Sequence, residues 1–354
     1  ASMAGKVTDA SNEPIIGATV QAVHQPSGSR YGTVTNVDGR YSIQGMRTGG
    51  PYRVEISYIG YQTVIYKDIT LQLGEVYNLN VEMSESSELL NEVIVTAAKT
   101  KFTAEKTGAT TNISSAQMTQ LPTVNRSISD IARLSPYANG MSFAGGDGRS
   151  TNFTIDGANF NNNFGLSSNL PGGGNPISMD AIEEVQVVVA PFDVRQTNFI
   201  GGGINAITKS GTNTFRGTAY TYYRNQDMRG NRINGEDLGA RSDESKTTYG
   251  FTLGGPIIKN KLFFFVNYEK EKTPGEVIKY RAREDGEDAK GMVSRTLKSD
   301  MEKVYNHLKD KYGYDAGSYT NFPADEENTK LLARIDWNIT DRHRLSLRYN
   351  NTKN

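Results

Sequence analysis

The sequence predicts a mainly β chain with three structured parts: a small antiparallel β-sandwich, a mixed α/β region, and the first strands of a transmembrane antiparallel β-barrel. Three observations predict it. Residues 5–83 break into short alternating segments separated by turn residues. Residues 101–212 mix helical spacing, short strands and glycine-rich loops. Residues 213–354 carry five segments with one apolar and one polar face, joined by connections that alternate long and short. Composition agrees, since 36 Gly, 19 Tyr and 13 Phe favour strands and turns over helices.

The charges exclude some classes of function. Lys plus Arg equals 39 and Asp plus Glu equals 39, with no basic run, so a nucleic-acid partner is not expected. Cysteine is absent, which removes disulfides, thiolate metal sites and cysteine nucleophiles together. No stretch of 18 apolar residues predicts a transmembrane helix. A spanning β-barrel alternates lipid-facing and lumen-facing residues, so its average hydropathy stays low and this chain remains compatible with one.

The first element is the sandwich, placed at 1–83. Strands at Gly5-Lys6-Val7-Thr8-Asp9, Ala18-Thr19-Val20-Gln21-Ala22-Val23, Tyr31-Gly32-Thr33-Val34-Thr35 and Tyr41-Ser42-Ile43 are separated by turns such as Ser11-Asn12-Glu13-Pro14 and Val37-Asp38-Gly39-Arg40. Residues 52–58 alternate strictly, and 77–81 close the unit. The wording "GKVTDASNEPIIGATV…TNVDGRYSI…YRVEISYIGYQT" resembles the carboxypeptidase regulatory-like domain, which implies a transthyretin-like sandwich without an active site of its own.

Residues 84–100 form a linker. Polar Ser84-Glu85-Ser86-Ser87-Glu88 gives way to an extended run of Glu92, Val93, Ile94, Val95, Thr96 and Ala97. Such a run is most simply an ordinary strand. Between two domains it also fits a free strand that adds to the edge of a partner's sheet. "EVIVTA" resembles the TonB box of outer-membrane receptors.

Residues 101–212 are the α/β part. Ile128, Ile131 and Leu134 share one helical face that Ser135-Pro136 should end. Strands are expected at 152–156 and 185–189, and the triple glycine 201–203 marks close backbone approach or positive φ. The order "FTIDG…AIEEVQVV…GGGINAITKSGTN" resembles the plug of TonB-dependent receptors.

Residues 213–354 supply five strands. Tyr249, Phe251 and Leu253 alternate with Thr248, Gly250 and Thr252, and Leu331, Ala333, Ile335, Trp337 and Ile339 alternate with Leu332, Arg334, Asp336 and Asn338. Connections at 225–245 and 273–327 are long, and those at 254–261 and 340–342 are short, as extracellular loops and periplasmic turns would be. A barrel of this class has about 22 strands, so these are its beginning. Leu297, Met301, Val304 and Leu308 stand at helical spacing inside the long loop, with Gly313 as cap. A helix packed on its own loop is the plainer expectation; a lid over the barrel mouth is the sharper one.

No constellation for catalysis appears. His24, His307 and His343 fall in three separate segments, so no metal site is expected. Residues 145–150 lack the lysine of a phosphate loop, and the acidic run 284–288 lacks calcium-loop spacing. The chain is read as a non-enzyme without a cofactor. The resemblance implies an Oar-like TonB-dependent receptor in the bacterial outer membrane, its sandwich in the periplasm. Such a protein imports a substrate through a plug-gated barrel, with TonB of the inner-membrane energy complex pairing at residues 92–97. A surface adhesin without transport is the rival, though an adhesin needs no plug. Asn159, Asn161, Asn162 and Asn163 are candidate substrate contacts, with loop filler as the equal alternative. "NFTIDGANFNNNFG" differs from the glycan-uptake subgroup, so no surface lipoprotein lid is expected. The substrate is unknown.

Overall fold

A computed structural model describes residues 1–85, 93–96, 109–121, 123, 126–161, 170, 174–189, 196, 200–239, 244–275, 280–319 and 324–354. Nine strands come first: β1 (Ser2–Asp9), β2 (Thr19–His24), β3 (Ser29–Val34), β4 (Arg40–Ile43), β5 (Gly49–Ser57), β6 (Val64–Leu71), β7 (Val76–Asn78), β8 (Val81–Met83) and β9 (Val93–Thr96). One sheet joins β1 to β4, β7 and β8; the other has the order β3-β2-β5-β6-β9. Period-2 alternation turns Val20, Ala22, Tyr52, Val54, Ile56, Ile69 and Leu71 inward, against Met3 and Val7 of β1. The first strand starts three residues before the expected Gly5, because Met3 is a fully buried core residue. The buried Tyr52 and Tyr41 hydroxyls donate to the carbonyls of Arg47 (2.8 Å) and Leu79 (2.7 Å), so neither polar tip is orphaned. Gly39 (φ 70°) closes the turn before β4, where a Cβ would lie 2.5 Å from the Val7 carbonyl oxygen.

Next come β10 (Ala109–Ser114), α1 (Ser115–Gln120), α2 (Ile128–Ala132), the small hairpin β11 (Ala138–Asn139) and β12 (Ser142–Phe143), β13 (Asn152–Ile155), β14 (Ala158–Asn159), β15 (Ile182–Val189) and β16 (Gly202–Thr208). The main sheet runs β10-β15-β16-β13-β14, with β13 and β16 parallel. Its core collects Ile113, Ile128, Ile131, Phe143, Phe153, Val185, Val187 and Ile204. Helix α2 is shorter than its apolar spacing suggests: it ends at Ala132, and Leu134 is exposed beyond it. Ser127 and Asp130 cap its start reciprocally. Gly201 meets both expectations for the triple glycine, with φ 101° and a Cβ position 3.0 Å from the Phe143 carbonyl oxygen.

The remaining elements are β17 (Arg216–Asn225), β18 (Arg232–Ile233), β19 (Glu236–Asp237), β20 (Ser245–Ile258), β21 (Leu262–Thr273), β22 (Arg281–Arg283), β23 (Val293–Leu297), α3 (Lys298–Tyr312), β24 (Glu326–Asn338) and β25 (Arg344–Lys353). The long strands form an open sheet in the order β17-β20-β21-β24-β25. The connection expected at 254–261 is mostly strand, and only 259–261 turn. Gly254 and Gly255 lie within β20, and glycine is required there because a Cβ would strike the Phe265 and Phe215 rings, at 2.9 and 2.3 Å.

The chain divides into two compact units, one of residues 1–218, 252–268 and 330–352, the other of 219–251, 269–329 and 353–354. The first holds the sandwich, the mixed sheet and both short turns. Its strand segments turn Phe263, Phe265 and Leu332 inward, and Leu253, Ile335, Trp337, Leu345 and Leu347 outward, where they are exposed. Phe265 and Leu332 join the core of the mixed sheet.

The second unit holds both long connections. Tyr249 and Phe251 face out, whereas Thr248 and Glu269 are buried. The Tyr220 hydroxyl donates to Glu269 at 2.8 Å. An Asn234-Gly235 turn with both φ positive links β18 to β19. Helix α3 forms where the spacing places it, and Gly313 (φ 61°) caps it in the left-handed conformation. It rests on its own loop against β22 and β23, as the plainer expectation had it, with Leu297, Met301 and Leu308 half-buried and Val304 exposed. Acidic residues 284–287 meet local cations and remain solvated: Glu287 pairs with Arg281, and Glu284 with Lys298 at 3.0 Å.

Candidate functional site

The mixed sheet meets the barrel strands through a buried ion network built on Asp156. The two-residue turn Asp156-Gly157 joins β13 to β14, with φ of 49° and 85°. Aspartate tolerates this left-handed conformation better than most residues, and the turn aims its carboxylate sideways. One oxygen accepts from the Thr208 hydroxyl at 2.6 Å and forms an ion pair with Arg348, whose Nε lies 3.1 Å away. The other accepts from the Thr208 backbone N–H at 3.1 Å and lies 3.9 Å from Arg334. Thr208 ends β16, the parallel neighbour of β13, so this contact clamps the ends of two adjacent strands.

Arg334 is the hub on the strand side. Its Nε and Nη2 donate to the two Asp336 oxygens, at 2.8 and 3.0 Å, and Nη1 donates to the Thr208 carbonyl at 2.6 Å. Residues two apart on a strand share a face, which puts Arg334 beside Asp336 on the inner side of β24. Ser346 of β25 donates to Asp336 at 2.6 Å. From the sandwich, Arg47 donates to Ser210 at 3.1 Å and approaches Asp336 at 3.8 Å. The Arg334, Asp336 and Asp156 side chains are 8%, 2% and 5% exposed, and every charge among them has an opposite partner. The network contains no nucleophile beside a base. Its chemistry is holding: it ties the β13–β14 turn, the end of β16 and two barrel strands together.

A second contact joins the sandwich to the mixed sheet. Two residues beyond β6, the Leu73 N–H donates to both oxygens of Glu184 on β15, at 3.1 and 3.0 Å. The Leu73 carbonyl accepts from Gln186 at 2.7 Å and from Asn112 at 3.0 Å. Burial pushes the Glu184 carboxyl up to about 7, opposed by the Leu73 N–H and reinforced by Glu75 and Glu183. In the sandwich, burial and then the Arg47 charge hold His24 down at about 4, so it is neutral at ordinary pH. Its Nδ1 pairs with the Ser27 hydroxyl at 2.7 Å.

Of the expected coupling segment, Val93, Ile94, Val95 and Thr96 form β9, while Glu92 and Ala97 lie outside the described residues. The strand is not free. It pairs parallel with β6 in the register Val64–Val93, Ile65–Ile94, Tyr66–Val95 and Lys67–Thr96. Of the asparagines, Asn162 and Asn163 lie outside the described residues. Asn159 is exposed on β14. Asn161 is engaged in the fold, accepting from the Phe153 N–H at 2.6 Å and donating to Asn152 at 2.8 Å. Among the described residues no group of three His, Asp or Glu side chains is placed to hold a metal ion.

Sequence reasoning named the segments around Asp156 and Thr208 but not their meeting. It placed Arg334 and Asp336 on the polar face without seeing that opposite charges two apart on an inward face announce a buried pair. Arg47 carries no such pattern.

Residues 2–84 match the carboxypeptidase regulatory-like domain family, and residues 207–277 an outer membrane beta barrel domain family. The TonB-dependent transporter Oar of Myxococcus xanthus is 25% identical over 376 aligned positions, covering 98% of this chain and 33% of the relative. The chain therefore spans about a third of the length of that relative. Among solved structures, it is similar to the siderophore receptor PirA of Pseudomonas aeruginosa (TM-score 0.43, 17% identity, 70% of this chain and 36% of that one). It is also similar to the outer membrane transporter YddB of Escherichia coli (TM-score 0.46, 17% identity, 69% and 33%). The matched relative is a transporter and not an enzyme, in keeping with the absence of catalytic motifs in the sequence. Over nearly its whole length the chain is thus similar to an Oar-type TonB-dependent transporter, with a carboxypeptidase regulatory-like domain at residues 2–84 and an outer membrane beta barrel domain match at residues 207–277.

Proposed function

We propose that the protein to which this chain belongs imports a substrate actively across the outer membrane through a plug-gated barrel. Residues 92–97 are its contact with TonB, and residues 1–83, 84–100, 101–212 and 213–354 are sandwich, linker, plug and first barrel strands. One observation carries the reading: the plug's Asp156 and Thr208 are bonded to Arg334 and Arg348 on the inner face of the barrel strands. A stopper fixed by hydrogen bonds and ion pairs, without covalent links, is stable at rest and releasable under load. Energy for release has to enter from the periplasm, where an extended segment offers backbone groups to a partner sheet. Substrate binds from outside at the plug and loops, with Asn159, Asn161, Asn162 and Asn163 as contacts.

The test is binding of the periplasmic domain of TonB to the full-length protein in detergent, followed by amide exchange. Slowed exchange within residues 92–97 on complex formation is expected. Binding that protects other residues and leaves 92–97 unchanged would move the energy contact elsewhere.

A further inference from the structure

β9 sits at the end of the sheet order β3-β2-β5-β6-β9, as the one parallel member of an otherwise antiparallel sheet. One edge is used by β6. The other pairs with no further strand among the described residues. The opposite end of the sheet is differently placed: at β3, Ser29 accepts from Asn338 at 3.0 Å, and the Arg30 carbonyl accepts from Arg344. The edge of β3 is thus engaged at its first two residues, whereas that of β9 is open along its length among the described residues.

A short segment free in solution loses backbone entropy when a partner orders it, and that loss opposes binding. Laid on β6, the segment is already extended and in register. We propose that the sandwich presents the coupling strand: a strand of TonB's periplasmic domain adds to the outer edge of β9 as the sixth strand of this sheet, and the β6–β9 pairing persists in the complex. The inference rests on the assignment of residues 92–97 as the coupling segment. The occupant follows from that assignment, because an open edge is completed by main-chain pairing with an extended segment. The arrangement also joins the partner to the plug by a second route. β6 runs directly into Leu73, whose N–H and carbonyl hold Glu184 and Gln186 on plug strand β15. A pull on the added strand therefore bears on β15 through the sandwich as well as along the linker.

A cysteine pair tests this in the full-length protein, and residues 1–354 contain no native cysteine. Lys67→Cys with Thr96→Cys places thiols at register partners of β6 and β9. Oxidation should cross-link them, and the cross-linked protein should bind TonB's periplasmic domain no more than about threefold weaker than the reduced form, since the strand is already ordered. Greater weakening on oxidation, reversed by reductant, would show that TonB displaces β6 and would overturn the proposal. Failure to cross-link would overturn it by denying the register. If the reduced variant and the cysteine-free protein both fail to bind TonB, the coupling assignment itself falls, an outcome separate from the other two.

Discussion

Replacing Asp156 by Asn isolates the charge that holds plug to barrel. Asparagine keeps the size of the side chain and tolerates the positive φ of 49°, so the turn is retained. The change falls on the oxygen that accepts from the Thr208 hydroxyl and pairs with the Arg348 charge. An amide NH2 in its place turns one acceptor into a donor facing a guanidinium. Losing a charge-assisted bond and leaving a partner unsatisfied costs about 3 kcal/mol. Arg334 keeps Asp336 and the Thr208 carbonyl, which limits the loss. At about 1.4 kcal/mol per decade, the population with the plug contact open should rise roughly a hundredfold. Amide exchange of the full-length protein reads this directly, in peptides covering residues 152–159 and 202–208. Adding Arg348→Met should recover part of the protection, because it removes the stranded cation. Exchange within about threefold of the native protein in both peptides would refute the network as the fastening.

Glu184 makes the sandwich–plug contact pH-dependent: its raised pKa means stability is present below about 4.5 and lost as pH rises through about 7. After correction for intrinsic exchange, the Leu73 amide should lose protection across that window, and Glu184→Gln should flatten the response. His24 has the opposite sign within the sandwich, with stability present above 6.5 and lost as pH falls through about 4, worth roughly 3 kcal/mol. Residues 1–85 expressed alone should unfold cooperatively, with a midpoint that drops over that range and does so less in His24→Phe; a gradual, non-cooperative melt would count against an independent core. Whole-cell thiol labelling should reach cysteine at Glu287 and spare cysteine at Lys259, and the reverse pattern would invert the strands.

Much of this was legible because period 2 is a strong signal. Tyr249, Phe251, Ile335 and Trp337 face outward as their alternation requires, and Gly313 caps α3 where a left-handed residue was needed. Local chemistry read less well where tertiary contacts override it. Gly254, Gly255 and Pro256 look like a turn, yet they lie in β20, where the two glycines make room for aromatic rings. Leu134 fits the stripe of α2, but the helix stops before reaching it. Met3 belongs to the core although nothing before Gly5 announces a strand. The site was half visible. Asp156 and Thr208 stand in the quoted segments 52 positions apart, and only the sheet brings them together. The pairing of β9 on β6 depends on which edge lies open after the sandwich has formed, and that is a property of topology with no counterpart in composition.

The central claim is that backbone pairing at residues 92–97 energises import. The most direct measurement is uptake by cells carrying the full-length protein with proline at Ile94 or Val95, scored as growth on a nutrient whose use requires the gene. Proline deletes an N–H donor and fixes φ, so pairing fails while the outer binding surface stays intact. Growth should be abolished in both variants with surface substrate binding unchanged, and Val95→Thr should behave nearly as the native protein does. Undiminished growth with proline at both positions would contradict the claim and reduce the segment to a connector.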